Sequence, residues 1–262
     1  MDGTNGIMAT MLVNDRKPPP RPPRTLRLEL PADPRPRVDI GPPFRRFNGG
    51  WLALDFVNTV PGWIPHPQDR DGWQDLPNGE RLLEYADLIQ WSRLQDVVSD
   101  GVAASLERAS RKRPKRARSV IRRARTMRAV LYRLFRASAL GWAPRADDLE
   151  LLNAELARLR RREVVAPGEL GLEVVWLGEE ADLEGLLWPP LRSAVSLLTT
   201  PELADRLDQC GGPGCGWLFV DTGPGRPRRW CDSRDCGNVV KARAFRERQR
   251  EETGTERTGG GE

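Results

Sequence analysis

Histidine is almost missing from this chain. Its 262 residues hold one, His66, between Pro65 and Pro67. A lone loop histidine argues against His-based catalytic triads and excludes His-rich metal sites. No apolar run approaches the roughly 20 residues that cross a bilayer. The opening "MATMLV" is cut short by "NDRKPPPRPPR", so no secretory leader is expected and a cytoplasmic protein is. A phosphate-cradling loop is also absent, because "GGPGCG" precedes a strand-like run and carries thiols. Neither an internal repeat nor a C-x2-C redox pair occurs. The paired acids Asp147/Asp148 and Glu179/Glu180 are adjacent and read as solvated faces, so no catalytic constellation is found and a non-enzyme is expected.

Lysine is scarce too: Lys17, Lys112, Lys115 and Lys241 are the only four. Positive charge is therefore carried by arginine, which a GC-rich genome alone would also produce. The formal net charge is only +5, but it is uneven. From Arg108 to Arg136 there are 13 Arg/Lys and no Asp or Glu, and from Arg206 to Arg250 there are 10 against 5. Such segregation points to a polyanionic partner.

The pattern predicts an α+β chain. Residues 1–44 read as a disordered Pro/Arg-rich tail, with "LRLEL" (26–30) as a short strand inside it. Residues 45–205 form a mainly helical domain with a small β element. "WLALDFVNTV" (51–60) is apolar and β-favourable, and "LGLEVVWLG" (170–178) reads as a strand. Helices are expected at 80–94, 117–139 and 147–161, the last capped by Asp147, and as two pieces over 182–207 that part near Thr200–Pro201. "RASRKRPKRAR" (108–118) reads as an inter-helix linker and helix start: a solvated face or a second nucleic-acid contact. Trp51, Trp91, Trp142 and Trp188 are core candidates. Residues 206–250 look different in kind, and 251–262 form a second tail.

All four cysteines fall in that last block: Cys210, Cys215, Cys231 and Cys236, spaced C-x4-C, fifteen residues, C-x4-C. Two close thiol pairs suit one tetrahedral structural Zn2+, with Zn–S of about 2.3 Å. Disulfides do not fit a cytoplasmic protein. "GGPG" supplies a tight turn inside the first pair. Between the pairs, "GWLFVD", "TGPGRP" and "RRW" read as strand, turn and strand, and Asp232 or Ser233 as the cap of a following helix. Knuckle, hairpin and helix in that order make a treble-clef-like finger. Four thiolates close the coordination shell, so hydrolytic zinc chemistry is not expected. Removing the metal should unfold 206–250 and spare the central block.

The finger is cationic. Arg226, Arg228 and Arg229 lie on the expected hairpin, Arg234 between the last two cysteines, and Asn238, Lys241, Arg243, Arg246, Arg248 and Arg250 on the helix. Ala242 and Phe245 offer it a small packing edge. This suits phosphate neutralisation, with DNA favoured over RNA as partner. In the central domain, "LDFVNT" places Asp55, Asn58 and Thr59 together, either to fix the next loop or to line a small-molecule effector pocket.

These residues carry a resemblance. "QCGGPGCGWLFVDTGPGRPRRWCDSRDCGNVVKARAFRERQR" is similar to the CGNR zinc finger, and "GGWLALDFVNTV" with "LLWPPLRSAVSLLTTPELADRL" resembles the ABATE domain of stress-induced bacterial transcription regulators. The resemblance implies Cys210, Cys215, Cys231 and Cys236 as metal ligands, matches Gly237, Asn238 and Lys241 to the signature, and implies nucleic-acid binding. Val239 stands where the signature has arginine. The reading is a zinc-dependent DNA-binding regulator. An RNA-binding protein with the same finger, or an enzyme that docks through it, are the alternatives.

Overall fold

Helical periodicity along the middle of the chain becomes a set of helices around one long central helix. A computed structural model describes residues 25–28, 33–35, 38–41, 44–64, 76–168, 171–179, 181–223 and 228–258. In chain order these form β1 (Thr25–Leu28), β2 (Val38–Gly41), β3 (Arg45–Phe47), α1 (Leu52–Val57), β4 (Trp63–Ile64), β5 (Leu76–Pro77), α2 (Tyr85–Leu94), α3 (Asp100–Lys112), α4 (Pro114–Ala139), α5 (Ala146–Arg160), β6 (Glu163–Gly168), β7 (Gly171–Glu179), α6 (Trp188–Leu198), α7 (Pro201–Ala204), β8 (Leu207–Gln209), β9 (Leu218–Val220) and α8 (Cys236–Thr258). A 3-10 turn at Gly185–Leu187 leads into α6. The fold class is α+β and mainly helical, as expected.

α4 is the hub. Pro114 starts it, where a missing N–H costs nothing. Val120, Ala124, Val130, Leu131, Leu134 and Phe135 are buried along it, and it touches α1, α2, α3, α5, α6, α7, β8 and β9. β1, β7 and β6 make an antiparallel sheet in that order, and β2–β3, β4–β5 and β8–β9 are two-stranded. No helix among the described residues is long and apolar enough to cross a membrane.

Several local expectations change. "WLALDFVNTV" contains a helix, not a strand: all six residues of α1 are buried. An element covered on every side shows no periodicity that would tell helix from strand. The segment 108–118 is not a linker, since α3 runs to Lys112 and α4 starts at Pro114, with Arg113 alone between them. Asp147 lies inside the first turn of α5, and Arg145 takes the cap position. The stretch placed in an N-terminal tail includes β1, paired with β7 from Thr25↔Glu179 to Leu28↔Trp176, with Leu26 and Leu28 in the core. Likewise α8 continues through the stretch read as a C-terminal tail, to Thr258. Trp51, Trp91 and Trp188 are buried as expected, whereas Trp142 is partly exposed and lies under the Arg136 guanidinium.

Candidate metal centre and nucleic-acid interface

The chain brings its four cysteines together. Their sulfurs all lie within 4.8 Å of one another. Cys215–Cys231 and Cys231–Cys236 are both 3.6 Å apart. Tetrahedral Zn–S bonds of about 2.3 Å put sulfurs about 3.8 Å apart, and a disulfide would need about 2.05 Å. The Gly212 N–H points at the Cys210 sulfur, 3.4 Å away, as backbone amides do toward metal-bound thiolates. Hydrogen bonding to Cys210 pushes the Cys231 and Cys215 thiols upward, and burial adds to it. Four sulfurs this close hold their negative charge only around a cation. The donor set and spacing fit one structural Zn2+.

The hairpin is not where it was expected. β9 pairs with β8, which precedes Cys210, so the first knuckle is itself the hairpin turn: Leu207↔Val220, Asp208↔Phe219 and Gln209↔Leu218. Residues 228–230 form no strand. They pass through hydrogen bonds between Gly211 N–H and Arg229 C=O and between Arg228 N–H and the Asp221 carboxylate. α8 starts at Cys236, so neither Asp232 nor Ser233 caps it; Asp232 instead accepts the Arg234 N–H, closing the turn before the last ligand.

The knuckle is set into the helical domain. Trp63 N–H donates to Cys215 C=O at 2.7 Å, Tyr132 O–H to Gly216 C=O at 3.2 Å, and Val220 N–H to Gly49 C=O at 3.0 Å. Trp217 donates through Nε1 to Val60 C=O at 2.9 Å. Gly216 has φ +58, and a Cβ there would lie 2.5 Å from the Trp63 carbonyl oxygen. A Cβ on Gly62 would lie 2.1 Å from the Gly214 oxygen, so glycine is required on both sides of this approach. Leu218, Phe219 and Val220 are at most 1% exposed and belong to the same core as α1 and α4.

Asp55, Asn58 and Thr59 are buried and hydrogen-bonded around this docking. Asn58 brackets the backbone of Leu218, donating Nδ2–H to its C=O at 2.9 Å and accepting its N–H on Oδ1 at 3.1 Å. Asp55 Oδ1 accepts Gly49 N–H at 2.9 Å, and burial pushes its carboxyl up to about 7. Thr59 accepts from the buried Arg128, which is held two-pronged by Glu80 at 2.7 and 2.5 Å. These bonds go to Gly49 before α1, to Leu218 of β9 and to Arg128 of α4, not to the loop that follows residue 60.

The cations divide. Arg226 lies outside the described residues, as does His66. Arg228 is turned inward: its guanidinium lies 4.1 Å from the Phe219 ring centroid and donates to the carbonyls of Asn48, Trp230 and Cys231. It ties the second cysteine pair to the helical domain, which neighbouring residues in sequence could not reveal. Arg229 is exposed against the Trp230 ring. Arg234 is exposed beside Asp232. Asn238 donates to Arg234 C=O, and Arg243 pairs with Glu247 at 3.0 Å. Lys241, Arg246, Arg248 and Arg250 are exposed along α8. Phe245, 54% exposed, and Ala242 do not form the expected packing edge; Val240 and Ala244 are the half-covered positions.

Two features escaped the sequence reading. Arg46 of β3 reaches Asp232 at 3.4 Å and Asp235 at 3.3 Å, bridging the helical domain to the last knuckle. Beside it, a cavity of about 210 Å3 is lined by Arg46, Arg81, Cys215, Trp217 and Val239, among others. Val239 is 49% exposed there, so the position that departs from the signature faces the junction between finger and helical domain.

Comparison with known proteins agrees with this division. The CGNR zinc finger profile matches residues 206–249. The ABATE profile, described as "Putative stress-induced transcription regulator", matches residues 50–201, more than half of the chain. A search of curated proteins finds no match. A buried helical domain that receives a four-cysteine knuckle thus coincides with both matched regions, and the chain belongs to the ABATE family with a C-terminal CGNR zinc finger.

Proposed function

We propose that the chain is a zinc-dependent DNA-binding transcription regulator acting in the cytoplasm, with no enzymatic activity. One observation carries it. The fourth metal ligand, Cys236, is the first residue of the exposed cationic helix α8. Zinc then fixes the root of that helix to a knuckle anchored in the core, giving its cations a defined direction. Phosphate contact needs positioned cations of this kind, and groove entry by a helix is the commonest way to read duplex bases. Structural zinc held by four thiolates leaves no open position for chemistry. RNA remains the second reading, because positioned cations alone serve both backbones. A small-molecule effector would act from the cavity between finger and helical domain, where it would touch both.

The test is affinity for duplex DNA and for single-stranded RNA across salt concentration. Lys241→Ala/Arg243→Ala is expected to flatten the log–log slope on duplex by about 2, at roughly 0.9 per phosphate contact. A salt-independent wild type, or stronger binding to RNA than to DNA at every salt, would reject the DNA reading.

A further inference from the structure

Apart from its two end residues, the basic run from Arg108 to Arg136 sorts into two sets once folded. Arg113, Arg116, Arg123, Arg125, Arg128 and Arg133 are engaged: Arg113 with Ala181 C=O, Arg116 and Arg123 with Glu184, Arg125 and Arg128 with Glu80, and Arg133 with Asp148. Arg111, Lys112, Lys115, Arg118 and Arg122 are exposed and make no ion pair among the described residues. Lys115, Arg118 and Arg122 are three and four residues apart on α4, so they share one face.

Helix stability does not account for this second set. Arg111 and Lys112 favour the C-terminal end of α3, but α4 opens with Lys115 and Arg118 at its positive end, with no acid in the first turn and no side-chain cap. Each is placed against the helix dipole and against its neighbours. A partner that brings negative charge relieves both. The surface also selects the partner. Neither α3 nor α4 exposes a large hydrophobic side chain. Membrane-surface helices need such residues beside their cations, and protein interfaces need aromatic or aliphatic anchors. The face has one large apolar neighbour, Leu83, 68% exposed beside Arg111 and Arg118, and a single leucine among five cations fits a sugar-phosphate backbone better than an apolar-anchored partner.

We infer that the end of α3 and the start of α4 form a second nucleic-acid contact, which holds the phosphate backbone without reading bases while the finger engages elsewhere on the same duplex. The inference rests on the nucleic-acid reading of the finger.

The experiment uses the full zinc-loaded chain and a mixed-sequence DNA duplex. Binding is measured across salt for wild type, for Lys115→Gln/Arg118→Gln/Arg122→Gln, and for Lys241→Ala/Arg243→Ala. Loss of the three α4 cations is expected to flatten the slope by about 2 to 3, with the thermal midpoint unchanged or raised. A slope unchanged by the α4 substitutions but flattened by the α8 pair overturns the inference and leaves the finger's reading standing. A wild type insensitive to salt overturns both. Phosphatidylserine vesicles are the third arm: wild-type binding that the α4 substitutions abolish, with the DNA slope intact, reassigns the face to membranes and also overturns the inference.

Discussion

Asn58 and Leu218 are 160 residues apart, yet the Asn58 carboxamide satisfies both backbone groups of Leu218, at 2.9 and 3.1 Å. The side chain that follows the last residue of α1 thereby does for β9 what a neighbouring strand would. The metal-binding hairpin is consequently built on the helical domain.

Asn58→Ala leaves a buried N–H and a buried C=O unpaired. The expected cost is about 2–4 kcal/mol, measurable by urea unfolding of the zinc-loaded protein. Zinc affinity is expected to fall with it, since the knuckle that binds metal loses its seat; competition with a chromophoric chelator reads this directly. Unchanged zinc affinity in a destabilised variant would show that the finger closes without its support.

Zinc removal is expected to reach beyond the finger. From the sequence, residues 206–250 should unfold alone. The structure revises that, because Leu218, Phe219 and Val220 fill the core shared with α1 and α4. Chelation, or Cys231→Ser, should lower the unfolding midpoint of the central helices as followed by far-ultraviolet circular dichroism. Tryptophan fluorescence should shift in the same step, since Trp63 and Trp217 sit at the junction. Two separate transitions, the helical one unmoved, would restore the modular picture.

The Glu80–Arg128 pair sets an acid limit. Burial works to raise the Glu80 carboxyl, but the Arg128 hydrogen bonds and charge outweigh it and hold it below the ordinary value. A depressed folded-state value stabilises above the unfolded carboxylate range and is lost as pH falls through it. Glu80→Ala is expected to cost about 3–5 kcal/mol near neutrality, by stranding a buried guanidinium. The difference from wild type should shrink toward pH 3 in denaturant titrations.

Asp55 has the opposite sign. Burial raises its folded value to about 7, against the pull of the Gly49 N–H and Arg35, and Oδ2 has no hydrogen-bond partner among the described residues. Its protonated form is favoured by the fold, so this contribution is full below about pH 4 and disappears as pH rises through about 7. Asp55→Asn keeps the acceptor for Gly49. Relative to wild type it should gain stability across that window, by up to about 4 kcal/mol at pH 8. A pH-independent difference would show that the carboxyl ionises freely in the folded state.

The metal ligands were legible because their chemistry is local and their type is scarce; four thiols in 27 residues need no tertiary knowledge. Long-range partners were not. Arg228 and Arg229 are adjacent and identical, and only the position of Phe219 makes one an inner tie and leaves the other exposed. α1 was misread because full burial erases periodicity, and the hairpin because strand pairing is decided by which segments meet. β9 takes β8 since the knuckle returns the chain there, and residues 228–230 are committed to Gly211 and Asp221 instead.

The central helix also acts as a ruler. Lys115 stands near its N-terminal end, and Tyr132, 17 residues on, touches the knuckle through its hydroxyl. At about 1.5 Å per residue these points are about 26 Å apart along a rigid axis. The proposed second contact and the knuckle are therefore held at a fixed spacing, and under the nucleic-acid reading a duplex, at about 3.4 Å per base pair, would need about eight base pairs to run the length between them.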